Sequence, residues 1–328
     1  MTNLSAPGGQ LGPLNPGDVV SAALRLYKDR LKTFLQLAML ATLWLVAGVV
    51  GLGLAIAILA GVGSGAGGDI GAVIGGLVGL LVGFVPLLYG SAKYYAISSV
   101  IGRLSFQELI NQPETSLEAR RQVAPKLGQF LFLSFLLLLA YTATYVAGAL
   151  LALIAGGSVG FVTAGILSAL INEAVGGVVG ILLGMLLGLG LLFLGLIWVS
   201  SRLFIAEVVL AIEPQQDAGS SMSRSWELTQ AAITRIQTIF LATFLIQLPL
   251  LTVTNYIPSI LLNLLPADGI VYGVTLALGL VLSLGGSLVV LPLWQAVKGV
   301  LYYDLRSRRE GLDLALRHDN EQGFDAGS

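Results

Sequence analysis

Six apolar runs, separated by polar and charged segments, dominate the chain. They are Thr33 to Ala60, Ile70 to about Val100, Phe130 to Ala155, Ala174 to about Ser200, Ile239 to about Leu262 and Ile270 to about Ala296. Each is on the order of the 20 residues that carry a helix across a bilayer. A Gly-rich stretch around Gly61–Gly68 separates the first two, and polar segments at 103–126 and 212–235 join the pairs. The pattern predicts an all-α integral membrane protein with six transmembrane helices.

Charge then orients the helices. All 17 Lys and Arg residues fall at 25–32, 93–126, 202–235 and 298–317, whereas the opposite ends of the runs hold only Asp69, Glu173 and Asp268. Cytoplasmic loops collect Lys and Arg. The six helices therefore read as three in–out–in hairpins with both termini in the cytoplasm. Composition agrees: 56% of the 328 residues are hydrophobic and 11% charged, against roughly 25% charged in a soluble domain.

The hairpins repeat. A base precedes each odd helix (Arg30, Lys126, Arg235), and near the end of each even helix an aromatic ring stands four residues before a base: Tyr89/Lys93, Trp198/Arg202 and Trp294/Lys298. Base to base, the hairpins are 63, 76 and 63 residues long. The expected organisation is a disordered segment 1–17, a single membrane domain 18–317 with repeats at about 18–103, 115–213 and 223–310, and a disordered tail 318–328. Residues 1–17 lack the basic and apolar regions of a cleavable signal. The 13-residue excess of the middle hairpin coincides with Gly156–Glu173, where Val159–Ile171 is too short to cross and reads as an interfacial or re-entrant helix.

Small residues recur every four positions in the even helices: Gly75, Gly79 and Gly83; Gly176, Gly180, Gly184 and Gly188; Thr275, Gly279, Ser283 and Ser287. That spacing lines one helix face and lets another backbone approach closely. It predicts that the second, fourth and sixth helices form the tight centre, or a homodimer or partner interface. Amphipathic segments follow on the cytoplasmic face. From Asp18, read as an N-cap, Val20, Leu24, Tyr27 and Leu31 form an apolar stripe beside Arg25, Lys28 and Lys32. Thr115–Lys126 and Ser223–Arg235 share this character. Such helices lie in the headgroup layer, held by membrane lipids.

Lys93, Arg202, Glu207 and Lys298 sit deep in their runs near the inner boundary, where bases snorkel to water. They are structural anchors on one reading and substrate or ion contacts on the other. Arg202 and Glu207, five apart, share no face well, and a base from another hairpin is an alternative partner for Glu207. Arg306, Arg308 and Arg309 are candidate lipid-headgroup contacts. The absence of Cys excludes disulfides, thiolate metal sites and a Cys nucleophile. No HExxH or GxxxxGK[ST] pattern occurs, and the only His, His318, lies in the tail. No catalytic residue, metal ligand or cofactor is expected, and no nucleic-acid partner.

The ends carry a resemblance. Leu14-Asn15-Pro16-Gly17-Asp18-Val19-Val20 through Leu24-Arg25-Leu26-Tyr27, and Leu301-Tyr302-Tyr303-Asp304-Leu305-Arg306-Ser307-Arg308-Arg309-Glu310-Gly311-Leu312-Asp313-Leu314, with Ser223-Arg224-Ser225-Trp226-Glu227-Leu228 between them, resemble a family of uncharacterised bacterial multipass proteins. That family is similar to the membrane domain attached to some glycerophosphodiester phosphodiesterases. Lys93-Tyr94-Tyr95-Ala96-Ile97-Ser98 and Ser223–Thr229 are most similar to cyanobacterial members. The resemblance implies an architecture, in a bacterial plasma or thylakoid membrane, and no reaction. Two function classes stay open: a non-catalytic scaffold or assembly partner of a membrane complex, and a transporter or channel for a lipid or small solute.

Overall fold

The computed structural model describes residues 14–267, 269–312 and 314–315. Asp268, Asp313, His318, the tail 318–328 and the first thirteen residues lie outside the described residues. Every regular element among those described is helical. Five continuous stretches are long and apolar enough to cross a membrane: Leu31–Leu109, Ser116–Leu170, Glu173–Ile212, Ile233–Leu264 and Ile270–Glu310.

The first of these, α2 (Leu31–Leu109), is two limbs. It breaks at Gly67 and Gly68, the latter at φ 59° and ψ −141°, a conformation that L side chains rarely adopt. Beyond the break the backbone folds back on itself. A Cβ on Gly79 would lie 2.6 Å from the Ile56 Cα, and one on Gly83 2.8 Å from the Leu52 Cα. One on Gly75 would overlap the Leu59 carbonyl. In lipid, close backbone approach of this kind supplies the dispersion contact that water would otherwise drive.

The chain repeats one layout three times. A short helix comes first: α1 (Pro16–Asp29), α3 (Ser116–Val123) or α8 (Ala218–Thr229). Each has an acidic or hydroxyl side chain three residues beyond its N-cap reaching back to the N-cap N–H: Asp18 to Asn15 at 3.3 Å, Glu118 to Thr115 at 2.9 Å and Ser220 to Asp217 at 2.9 Å. This reciprocal capping satisfies amides that a helix start leaves unbonded. Long apolar helices follow. The α1 cap is Asn15, not Asp18, and α8 ends at Thr229, with α9 (Ile233–Leu251) beginning afresh rather than continuing the amphipathic segment to Arg235.

Two expectations are overturned. Gly156–Glu173 forms no separate interfacial helix: α4 (Leu127–Leu151) continues through a π-helical turn, Ala152–Gly156, into α5 (Gly157–Leu170). After a turn at Ile171–Asn172 the chain returns as α6 (Glu173–Leu203), so the excess length simply extends an antiparallel pair. The stripes of the even helices also pack on the helix before them in the chain, not on one another. Gly180 and Gly184 would place a Cβ 2.5 Å from the Gly160 and Gly156 carbonyl oxygens, and Gly188 3.0 Å from that of Ala152. Gly279 meets Pro258 of α10 (Ile257–Leu264), and Ser283 of α11 (Ile270–Glu310) donates to Asn255 Oδ1 at 2.8 Å. Asn255 sits in a second π-helical turn, Thr252–Tyr256. Such a turn rotates side chains off the regular helical face, and here it aims Thr254 and Asn255 at α11.

By packing, the chain forms two compact units, Phe135–Phe204 and the remainder. The smaller packs the later part of α4, the π-helical turn and α5 against α6, largely through glycines. The larger holds the polar core. Its α1 buries Val19, Val20, Ala22, Ala23 and Leu26 against α9 and α11, so that face is occupied by protein rather than lying in lipid. Leu14 is 5% exposed and its N–H donates to Asp304 at 2.7 Å, so residues 14–17, expected to be disordered, are part of the fold.

Candidate functional site

Buried polar groups surround α7 (Ala206–Ile212), a seven-residue helix that sequence reading does not separate from the end of the fourth apolar run. Ile205–Ala211 is buried at every position. Such a helix needs partners for groups at both ends. Lys126 Nζ donates to the carbonyls of Leu210 at 2.9 Å and Glu213 at 2.6 Å, and Arg103 to that of Ala211 at 2.8 Å. Two cations thus hold the C-terminal carbonyls, where the helix dipole favours positive charge. Arg103 is itself gripped in two-pronged fashion by Glu114, at 2.8 and 2.7 Å.

In the first turn of α7, Glu207 is 3% exposed and pairs with Lys298 of the third repeat, while Gln295 donates to the same oxygen at 2.9 Å. Its other oxygen, Oε2, is buried and accepts no hydrogen bond, as is Gln295 Oε1. Val208, next along the chain, packs on Gly102, and Gly102 and Gly299 bring α2 and α11 backbone to backbone. Sequence reading named Glu207 and Lys298. It missed Gly102, Gly299 and Gln295, none of which belongs to a periodic stripe.

A second cluster lies around Glu213, which accepts from the Tyr302 hydroxyl at 2.6 Å and from Arg224 at 3.5 Å; Arg224 also reaches Glu227 and Glu310. Arg306 donates to Glu310 at 2.7 Å and lies over the Tyr302 ring. A third surrounds Asp304, fully buried, which takes Arg235 at 2.9 Å and Arg308 at 3.2 Å. Arg235 and Arg308 both also donate to the Leu14 carbonyl. In each repeat, then, the base before the odd helix closes on the segment after the even helix: Arg30 on Glu108 and the Glu114 carbonyl, Lys126 on Leu210 and Glu213, Arg235 on Asp304.

The remaining candidates divide. Arg202, buried, stacks on Trp198 with 5.6 Å to the ring centre, within the smaller unit. Arg309 is exposed. Lys93 lies over Trp44 and Tyr89, at 5.5 and 5.7 Å from the ring centres. Outside the apolar stretches, the Asp217 carboxyl is held below its ordinary range, first by the Ser220 amide and then by the Ser220 hydroxyl, whereas burial pushes the Tyr27 phenol up. Among the described residues no group of three or more His, Asp and Glu is placed to hold a metal. Compared with known proteins, the chain matches no family model, no curated protein and no solved structure.

Proposed function

We propose that the chain is a non-catalytic multipass membrane scaffold, an accessory or assembly partner of a membrane complex, with six crossings arranged as three in–out–in hairpins and both termini in the cytoplasm. One observation carries this reading. In the most apolar eighteen residues of each long helix only 6% to 22% are buried, whereas the polar segments between them interlock through the three charge clusters. The cytoplasmic ends hold the molecule together, and the apolar shafts are left for lipid or for other helices. A bacterial plasma or thylakoid membrane is the setting, by the family resemblance.

The groove along the smaller unit supports a helical partner. About 580 Å³ in volume, it is lined by Gly156, Gly160, Gly177 and Gly184 among other apolar residues. A Cβ on Gly177 would meet nothing within 4 Å. Photo-crosslinking in native membranes from Ile181, Leu81 and Val281, all on exposed shafts, tests the proposal. A scaffold gives discrete adducts with one protein at fixed stoichiometry, and Gly177→Leu removes the Ile181 adduct while abundance holds. Adducts with lipid alone overturn it.

Buried Glu207, with a free oxygen beside Lys298 and Gln295, favours transport of a small solute or lipid as the second reading, since an intramembrane carboxylate marks ion and substrate paths. Transport predicts that the Glu207→Gln/Lys298→Met double variant, which leaves no orphan charge, loses flux into proteoliposomes while its melting temperature holds.

A further inference from the structure

A cavity of about 330 Å³ opens in the larger unit between α2, α3 and the start of α4. Its volume is at the small end of ligand pockets. Leu40, Val100 and Leu127 make its walls apolar, Trp44 adds a ring, and Lys93 and Arg120 are its charged members. No acidic residue lines it. The two cations come from consecutive elements, Lys93 from the second limb of α2 and Arg120 from α3.

Among the described residues Lys93 is half-buried yet meets neither a carboxylate nor a carbonyl, and Arg120 beside the same cavity has no carboxylate either. Elsewhere in this unit the buried or half-buried cations meet oxygen partners: Lys298 the Glu207 carboxylate, Arg103 that of Glu114, Arg235 that of Asp304, Arg30 that of Glu108, and Lys126 the carbonyls of Leu210 and Glu213. Lys93 stands over two aromatic rings, which attract a cation without cancelling its charge. Neither Lys93 nor Arg120 is in an ion pair among the described residues. Two uncompensated cations at an apolar cavity, beside the inner membrane boundary, suit an anionic amphiphile, which in the headgroup layer is foremost a phosphate with a hydrocarbon chain attached.

We infer that this cavity binds one anionic phospholipid, its phosphate held between Lys93 and Arg120 and the start of an acyl chain lying against Leu40, Val100 and Leu127. The lipid supplies the counter-charge that the protein omits at this site. It also bridges α3 to α2, fastening the second repeat's amphipathic helix to the first repeat through a ligand.

The test is native mass spectrometry of the full-length protein, extracted from vesicles containing equal phosphatidylglycerol and phosphatidylcholine of identical chains. The wild type retains one phosphatidylglycerol. At about 1 kcal/mol for each base, K93Q/R120Q lowers its preference over phosphatidylcholine on the order of 30-fold, and R120Q alone about fivefold. Arg120 is exposed, so R120Q leaves the fold intact and tests the site even where Lys93 substitution harms folding. K93R keeps the preference. Removal of two exposed bases of α1, in R25Q/K28Q, leaves it unchanged. An equal fall in R25Q/K28Q, no fall in R120Q, or displacement of the lipid by millimolar inorganic phosphate overturns the inference: the first shows general surface attraction, the last a site for the bare anion.

Discussion

Glu207 and Lys298 illustrate what a charge costs when it cannot reach water. Glu207 is almost wholly buried and its pairing oxygen also takes the Gln295 amide. Removing one partner strands the other, which destabilises by about 3–5 kcal/mol, whereas replacing both leaves no orphan charge. Glu207→Gln and Lys298→Met are each expected to lower the detergent melting temperature sharply, with the double variant recovering most of the loss. Equal, additive losses would show that the pair does not act as one unit. Asp217 gives a milder test in the polar connection. Its carboxyl is depressed in the fold by Ser220, so the unfolded chain binds more protons as pH falls through the ordinary carboxylate range. Its capping contribution is present above that range and lost on acidification. Amide exchange at Ser220 should therefore accelerate with falling pH beyond its intrinsic trend, and the excess should vanish in Asp217→Asn.

At the scale of elements, one glycine tolerates a side chain and its neighbour does not. Gly75 faces the Leu59 carbonyl across the fold-back of α2, while a Cβ on the adjacent Gly76 would sit 3.9 Å from Ala60 Cβ, ordinary contact. Gly75→Leu is expected to separate the two limbs and reduce membrane abundance several-fold; Gly76→Ala leaves it unchanged. The same contrast holds for Gly180 against Gly177, where Gly180 touches Gly160 and Gly177 opens on the groove. A second kind of element contact is polar. Trp294 donates to Gln247 at 2.8 Å and Ser283 to Asn255, linking α11 to the helix before it. Bonds of this kind within a membrane are worth on the order of 1 kcal/mol each. Gln247→Leu should therefore shift the melting temperature slightly, far less than Gly75→Leu.

For the whole molecule the decisive prediction is sidedness, and the chain is suited to it because it contains no Cys. Single cysteines at Ser64, Asn172 and Ala267, all near the reversals of the long helices, are expected to react with an impermeant maleimide from outside only. Cysteines at Gln112 and Gln216, in the connections near the charge clusters, should react only after the membrane is opened. Labelling of Asn172Cys from the inside would remove the middle hairpin and with it the six-crossing arrangement. The three charge clusters would then have to be reconsidered, since each joins segments that this topology puts on one side.

The membrane class, the approximate helix limits and the segregation of bases from the reversals were legible in the residues, because hydrocarbon exacts the same composition from any helix that enters it. So was the segment Thr115–Lys126, whose cap and polar periodicity are local, whereas the caps Asn15 and Asp217 and the protein that covers the α1 face were not. Lys93, Arg202, Glu207 and Lys298 could be picked out as charges at the ends of apolar runs. Their partners could not. Nothing near Glu207 in sequence points to Lys298, 91 residues away, and a period-four glycine stripe does not state which helix it faces. The two π-helical turns, the independent helix α7 and the Gly102–Gly299 contact likewise had no periodic signal. They follow from closing carbonyls, carboxylates and backbones against particular neighbours in a medium that offers no water, and only the folded arrangement of the chain supplies those neighbours.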